Sequence, residues 1–204
     1  MINRIDVSGV LKTSVCDLYS NLVTRPTGAA VRLGIEHQLD EIGERALTIL
    51  DFSHVGLLDF SCADEIVAKL LLQYVSLDIP RREVYFVFYG MSESHMYAID
   101  AVLERHGLAL VNQLADGNSC LMGAVDSDER RIWEAMSALG SGGAADVATA
   151  SGLDPDRVVR GLDGLWRRRL VIRQDDSYVS LRGVPPAFST HTIAPGETGP
   201  IKAS

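Results

Sequence analysis

The sequence predicts an α/β fold for its first part and a separate helical unit after it. Short runs of β-branched and aromatic residues alternate with segments whose apolar residues recur at helical spacing, which is typical of a sheet covered by helices. A polar break at Asp126–Asp128 then precedes three helical segments and two strand-like runs. We therefore expect an α/β domain over residues 1–125, a second domain over 126–183 and a disordered tail over 184–204.

The elements of the α/β domain follow from apolar periodicity and from turn residues. The expected strands lie at 2–11, 46–52, 83–89, 108–111 and 120–125, and the expected helices at 13–23, 24–42, 62–75 and 91–106. The run Glu83–Tyr89 is apolar almost throughout, which predicts a strand buried on both faces. Because a polar break follows the last strand, we expect this domain to fold by itself when the chain is cut near Asp126.

The second domain is predicted to be mainly helical. Its expected helices lie at 129–139, 144–150 and 154–168, and its expected strands at 170–173 and 177–181. Asp154 and Pro155 are typical of a helix N-cap and first turn. We expect Gly140–Gly143 to be a flexible joint between the first two of these helices.

The charge of the chain is uneven. Of 27 acidic and 19 basic side chains, 16 and 9 lie in residues 1–125, whereas residues 126–183 contain 10 and 9. This acidic excess disfavours a general nucleic-acid surface on the first domain. No apolar run approaches the roughly 20 residues of a membrane span, and no signal-peptide core opens the sequence. We therefore expect a cytoplasmic protein with no membrane partner.

The three cysteines indicate no disulfide framework and no zinc site. Cys16, Cys62 and Cys120 are far apart and lack CxxC spacing, so we expect buried thiols and no metal or other cofactor. Cys62 precedes a predicted helix, where a lowered thiol pKa and chemical reactivity are the alternative to a small core residue.

A polar turn between a strand and a helix places Ser61 at a helix start. The strand-like run ends at Asp51 and Phe52, and the helical stripe begins after Cys62. Either Asp59 or Ser61 is the natural N-cap of this helix. Phosphate on Ser61 is the functional alternative, because free amides and the helix dipole favour an anion there.

This segment resembles the STAS domain of anti-sigma factor antagonists. The matching residues are Leu50-Asp51-Phe52-Ser53 and Val55, followed by Leu57-Leu58-Asp59-Phe60-Ser61, and the resemblance covers roughly residues 1–124. It implies a mixed sheet with helices, a phosphorylatable serine at Ser61 and a partner-binding loop shaped by Asp51 and Asp59. The chain departs from the family after the second aspartate, where Phe60-Ser61-Cys62 stands in place of Ser-Ser-Gly.

Three charged residues near Ser61 are further candidates for partner binding. Asp64 and Glu65 lie in the first turn of the predicted helix, where the helix dipole stabilises negative charge even without a partner. Arg25 lies in a turn that starts the preceding helix. It is either part of that turn alone or a cation for an anionic group, including a phosphate on Ser61.

The order of elements in the second domain resembles a winged helix-turn-helix. The run ADVATASGLDPDRVVRGLDGLWRRRLV would be its second helix, its turn and its recognition helix. The resemblance implies DNA binding, and arginine suits phosphates and guanine edges. The DNA-binding candidates are Arg157, Arg160, Arg167, Arg168, Arg169 and Arg173. Because Asp154, Asp156 and Asp163 share the same helix, a protein-binding winged helix is the alternative.

These patterns predict a regulator rather than an enzyme. The main interpretation is a bacterial protein that couples a STAS-like signal or partner-binding domain to a DNA-binding winged helix, a role that suggests a homodimer. The alternative is a partner-switching adaptor that binds only proteins, such as an anti-sigma-type kinase. A hydrolase using Ser61, His54 and Asp51 is a third hypothesis, although the chain has no Gly-x-Ser-x-Gly motif.

Overall fold

The computed structural model describes residues 2–42, 45–75, 83–183 and 190–191. The strands are β1 (Ile2–Asp6), β2 (Arg45–Asp51), β3 (Glu83–Tyr89), β4 (Ala109–Gln113), β5 (Ser119–Gly123), β6 (Ser141–Gly142), β7 (Val171–Gln174), β8 (Ser177–Ser180) and β9 (Thr190–His191). The helices are α1 (Val7–Ser14), α2 (Arg25–Asp40), α3 (Phe60–Ala63), α4 (Lys69–Val75), α5 (Glu93–His106), α6 (Ser127–Leu139), α7 (Ala144–Ser151) and α8 (Pro155–Arg167). A π-helical segment (Asp64–Ala68) joins α3 to α4, and a 3-10 turn (Leu181–Gly183) follows β8.

The main sheet is mixed, which confirms the predicted α/β class. Its strand order is β5-β4-β3-β2-β1-β9, with every neighbouring pair parallel except the antiparallel pair β4 and β5. The carboxyl ends of β1, β2 and β3 meet at one edge, because Asp6 pairs with Asp51 and Asp51 pairs with Tyr89. Loops that follow these strands therefore lie side by side.

Helices α1, α2, α4 and α5 cover one face of this sheet. Alternate residues of the strands, such as Leu50 and Phe88, point into a core with Ile35, Ile66 and Ile99, all of them fully buried. This alternation follows from the two-residue period of a strand. The continuous apolar character of β3 arises because its other residues are buried as well, on the opposite face.

The opposite face of the sheet packs against the C-terminal helices. Leu47, Tyr85, Val87, Val111 and Leu121 form one apolar cluster with residues of α6, α8 and β7, among them Trp133, Met136, Leu162 and Val171. Three side chains of the C-terminal part also bond to the backbone of the first part, Arg130 to the Leu121 carbonyl at 3.1 Å, Arg168 to the Ala124 carbonyl at 2.5 Å and Arg169 to the Tyr74 carbonyl at 3.2 Å. The two predicted domains therefore share a core.

The C-terminal elements occur in the order α6, β6, α7, α8, β7, β8. The strands form a small antiparallel sheet in the order β6-β8-β7. Asp126 caps α6 with a capping box to Glu129, and Asp154 caps α8 through the amides of Asp156 and Arg157. The expected cap at Asp154 is confirmed, whereas α6 begins at Ser127, two residues before the expected start at Glu129.

Three predicted elements are wrong. The expected strand at 2–11 stops at Asp6, whose carboxylate accepts the Ser8 amide and begins α1, so the expected helix at 13–23 is replaced by α1 and an irregular loop. The expected joint Gly140–Gly143 contains β6, which pairs with β8. The expected disordered tail at 184–204 lies outside the described residues except for Thr190 and His191, which form β9 beside β1.

Candidate functional site: the surface around Ser61 and the arginines of α8

Asp59 rather than Ser61 caps the helix that follows β2. Its Oδ1 accepts the Cys62 amide at 2.8 Å and the Ser61 hydroxyl at 2.9 Å. Ser61 is half-buried and its hydroxyl donates to this carboxylate. The arrangement fixes both side chains at the first turn of α3.

The same contacts set the ionisation of Asp59 and Cys62. Burial by itself raises the pKa of Asp59, but the hydrogen bonds from Cys62 and Ser61 outweigh it and hold that pKa below its ordinary value. Burial, together with the nearby Asp59 carboxylate, raises the pKa of the Cys62 thiol to about 11. Cys62 is fully buried and its thiol donates to the Thr24 carbonyl at 3.0 Å, which fits the small core residue better than the reactive thiol.

Asp51 lies at the end of β2 and belongs to a different set of contacts. It accepts the Arg4 guanidinium at 2.9 Å and the Ser53 amide at 2.9 Å. Burial raises the pKa of Asp51, and the bonds from Ser53 and Arg4 lower it further than burial raises it. The side chain is thus an anchor for the β2 end, and among the described residues no hydrogen bond joins it to Asp59 or Ser61.

Arg25 contacts Asp64 and Glu65, a meeting that the sequence did not predict. The Arg25 guanidinium bonds to Asp64 at 2.9 Å and to Glu65 at 2.7 Å. Lys69 also pairs with Glu65, and His106 Nε2 lies 2.7 Å from Asp64. Burial raises the pKa of both carboxyls, but these cationic partners hold each pKa below its ordinary value.

This charged cluster stands one helical turn after Ser61. Glu65 is nearly fully buried and lies in the π-helical segment, a type of irregularity that is common at functional sites. The cations of the cluster already have carboxylate partners. A phosphate on Ser61 would therefore have to compete with Asp64 and Glu65 for Arg25.

An exposed aromatic patch, formed by Leu57, Phe60 and Tyr97, borders Ser61. The side chains of these residues are 59%, 51% and 73% exposed, and the rings of Phe60 and Tyr97 meet edge to face with their centroids 5.9 Å apart. The adjoining loop adds Leu18 and Tyr19, which are also exposed. The edge-to-face contact joins Phe60 to Tyr97, and clustered apolar residues on a protein surface are typical of a protein-binding site.

The backbone holds this patch in place. The Leu22 amide donates to the Leu57 carbonyl at 2.7 Å, and the Asp59 amide donates to the Leu22 carbonyl at 2.9 Å. The buried His95 ring contacts the Gly56 carbonyl at 2.6 Å, which ties the start of α5 to the same loop. Hydrogen bonds therefore link the two loops and the first turn of α5 to one another.

The proposed hydrolase trio does not assemble. Ser61 bonds to Asp59, and Asp51 bonds to Arg4 and Ser53. His54 is exposed and, within the described part of the chain, forms no hydrogen bond with Ser61 or Asp51. A nucleophile needs its base within hydrogen-bonding reach, so this geometry does not support the trio.

Four of the six arginines predicted to bind DNA are on the surface. Arg157 pairs with Asp128 at 3.1 Å, Arg167 pairs with Asp163 at 2.9 Å, and Arg173 stacks on Trp166. Arg160 is exposed and has no ion-pair partner among the residues described. The exposed face of α8 is therefore partly neutralised by its own acidic neighbours.

The other two arginines hold the protein together. Arg169 is 5% exposed, donates to the Tyr74 carbonyl and lies over the Tyr85 ring with 5.5 Å to its centroid. Arg168 bonds to Glu129 at 2.9 Å and to the Ala124 carbonyl at 2.5 Å. Their assignment as DNA contacts is corrected, because both side chains are bound to this protein.

Sequence reasoning missed the aromatic patch. Phe60 lies in a polar turn, and Tyr97 lies outside the apolar stripe of α5 that includes Ile99, Val102 and Leu103. A large apolar residue at a polar position was the available signal in both cases. That the two rings meet depends on the packing of α3 against α5.

Comparison with protein-family models, curated proteins and solved structures gives no match to this chain. Within the described ranges, no helix is both long and apolar enough to cross a bilayer.

Proposed function

We propose that this protein is a regulatory protein that binds a partner protein through the aromatic patch and the adjoining Ser61 turn. The observation that carries the proposal is the exposure of Leu57, Phe60 and Tyr97 at the carboxyl edge of the parallel strands. Ligands of open α/β sheets bind at this edge. The proposed role is non-enzymatic and cytoplasmic, and the resemblance to STAS domains supports it.

Phosphorylation of Ser61 is the proposed switch. The Ser61 hydroxyl donates to Asp59, and a phosphate would replace this hydrogen bond with repulsion between two anions. Asp64 lies one turn further along and adds to that repulsion. Phosphate would thus alter the Asp59 cap beside Phe60, and with it the binding surface. A kinase of the anti-sigma type is the corresponding partner.

A second candidate function is DNA binding by the C-terminal elements as a winged helix. The order α6, β6, α7, α8, β7, β8 fits this fold, and Arg157, Arg160 and Arg173 are exposed on α8 and the β7–β8 ribbon. A protein of this class would bind a two-fold symmetric site as a homodimer. The pairing of Arg157 and Arg167 with aspartates favours the protein-binding function over this one.

The test of the proposed function compares patch variants with a matched control. Phe60→Ser with Tyr97→Ser should abolish capture of the cellular partner, whereas Leu139→Ser, at an exposed leucine on α6, should leave capture unchanged. Equal capture by the wild type and the patch variant would contradict the proposal.

Ser61→Asp should change capture and Ser61→Ala should abolish phosphate labelling.

The two candidates separate in a DNA titration. Binding by the second candidate should fall steeply with salt, since each phosphate contact releases a counterion. Replacing Arg157 and Arg160 together by alanine should weaken it by at least about tenfold. Absence of DNA affinity at low salt across a genomic fragment library would leave the protein-binding function alone.

A further inference from the structure

A small cavity lies between the main sheet and the 3-10 turn that follows β8. Its volume is about 170 Å³, and its lining includes Leu47, Ile49 and Val87 from the sheet and Leu181 from the turn. It lies on the face of the sheet that α2 and α5 do not cover, away from the aromatic patch. A cavity of about 150 Å³ engineered into another protein holds a benzene molecule, so the space suits one ring or a short chain.

Polar groups stand at one side of this apolar space. Gln113 and Ser119 are cross-strand neighbours on β4 and β5, and within the described part of the chain their side chains have no hydrogen-bond partner. Arg182 is the third polar residue that lines the cavity. An apolar cavity with a few convergent polar groups is the usual composition of a small-molecule site.

A hydrogen bond fixes the Arg182 side chain, which has no ion-pair partner among the described residues. Its Nη2 donates to the Asn118 side-chain carbonyl at 2.8 Å, and Asn118 in turn donates to Asp116 at 2.8 Å. Among the described residues the guanidinium forms no ion pair, although, after the hydrogen bonds from Asn118, its charge helps to lower the pKa of the nearby Asp116. The planar guanidinium has further donors for an anion, and it binds carboxylates through two parallel hydrogen bonds.

We propose that this cavity binds a small molecule that carries one carboxylate on an apolar ring or short chain. The ring lies against Ile49 and Val87, and the carboxylate pairs with Arg182 and accepts from Gln113 and Ser119. Because Leu181 and Arg182 belong to the C-terminal part and the strands to the first part, the ligand contacts both. Binding therefore stabilises the packing of one against the other, independently of the partner proposed above.

Benzoate is the probe of this proposal, and acetate and benzyl alcohol are its matched controls. We expect benzoate to bind the full chain with a dissociation constant on the order of 1 mM or tighter, and to raise the thermal midpoint as ligand binding to the folded state requires. Acetate lacks the ring and benzyl alcohol lacks the charge, so both should bind more weakly. A benzoate effect no larger than that of acetate at equal ionic strength would overturn the proposal.

Variants locate the site. Arg182→Gln should weaken benzoate binding at least about tenfold through loss of the charge-assisted pair, and Arg182→Lys should weaken it less. Arg105→Gln, at an exposed arginine on α5, should have no effect. Ile49→Phe fills the cavity from a partly exposed position and should abolish binding while the protein stays folded. Unchanged affinity in either Arg182→Gln or Ile49→Phe would show that benzoate binds elsewhere.

Discussion

At the scale of single residues, Arg169 combines a strained backbone with a buried cation. Its φ of 61° is left-handed, at the position after α8 where glycine is the usual residue. The side chain explains the exception, since it donates to the Tyr74 carbonyl and covers the Tyr85 ring. The contacts between the two parts of the molecule thus offset the unfavourable backbone.

Substitutions of Arg169 should separate these two effects. We expect Arg169→Ala to cost about 2–4 kcal/mol, because it removes the hydrogen bond to Tyr74 and the contact with the Tyr85 ring and keeps the left-handed strain. Arg169→Gly should cost about 1 kcal/mol less than alanine, because glycine adopts that conformation freely. Urea unfolding measures both values. If glycine proves as destabilising as alanine, the backbone is not strained at this position.

Asp59 should make the free energy of unfolding depend on pH in the acidic range. Its pKa is lowered in the folded state from an ordinary value of 3.8, so its contribution is present above that value and is lost as pH falls through the lower folded pKa. Asp59→Asn should therefore flatten the loss of stability below about pH 4. Unfolding in urea at neutral and acidic pH tests this, with the exposed Asp156→Asn as the control. An identical pH profile in the two variants would contradict it.

At the scale of elements, α2 and the helix after Asp59 cross closely at Gly28. A Cβ added there would lie 2.9 Å from Cys62 Cα and 3.1 Å from Glu65 Cβ, which is too close for ordinary contact. Gly164 in α8 is also helical, but a Cβ there would meet only Glu129 at 3.8 Å. Close helix packing therefore requires glycine at position 28, whereas the space around position 164 would accept a side chain.

Alanine at these two glycines should change stability in opposite directions. Gly28→Ala should destabilise by about 1–3 kcal/mol, since the neighbouring backbone has to move. Gly164→Ala should stabilise by about 0.5–1 kcal/mol through helix propensity. Thermal unfolding of both variants provides the comparison. A stabilising Gly28→Ala would mean that α2 and α3 cross less closely than described.

How far the sequence predicts these elements depends on how local their causes are. The cap at Asp59 and the capped start of α8 at Asp154 follow from neighbouring residues, and both were predictable. Asp6 was missed as a cap because Ile5 and Val7 on either side of it alternate like a strand. The meeting of Phe60 with Tyr97 and the burial of Arg169 depend on distant segments, which periodicity does not describe.

At the scale of the whole molecule, the shared apolar cluster argues against independent folding of residues 1–125. Removal of the C-terminal part would expose Leu47, Tyr85, Val87 and Val111 to water. We expect this fragment to aggregate or to unfold without a cooperative transition, whereas the full chain unfolds in one transition. Calorimetry of both proteins tests it. A cooperative transition in the fragment would restore the original expectation of a self-sufficient domain.

The helix that begins at Phe60 beside the patch and the helix whose end receives Arg169 are one continuous helix. From Phe60 to Val75 it spans 16 residues, about 24 Å at the rise of an α-helix. Its first turn adjoins the aromatic patch and its last turn offers the Tyr74 carbonyl to Arg169. Linkage is reciprocal. If an occupant of the patch shifts this helix, it alters the equilibrium for packing of the C-terminal part on the sheet by the same factor by which that packing alters the affinity for the occupant.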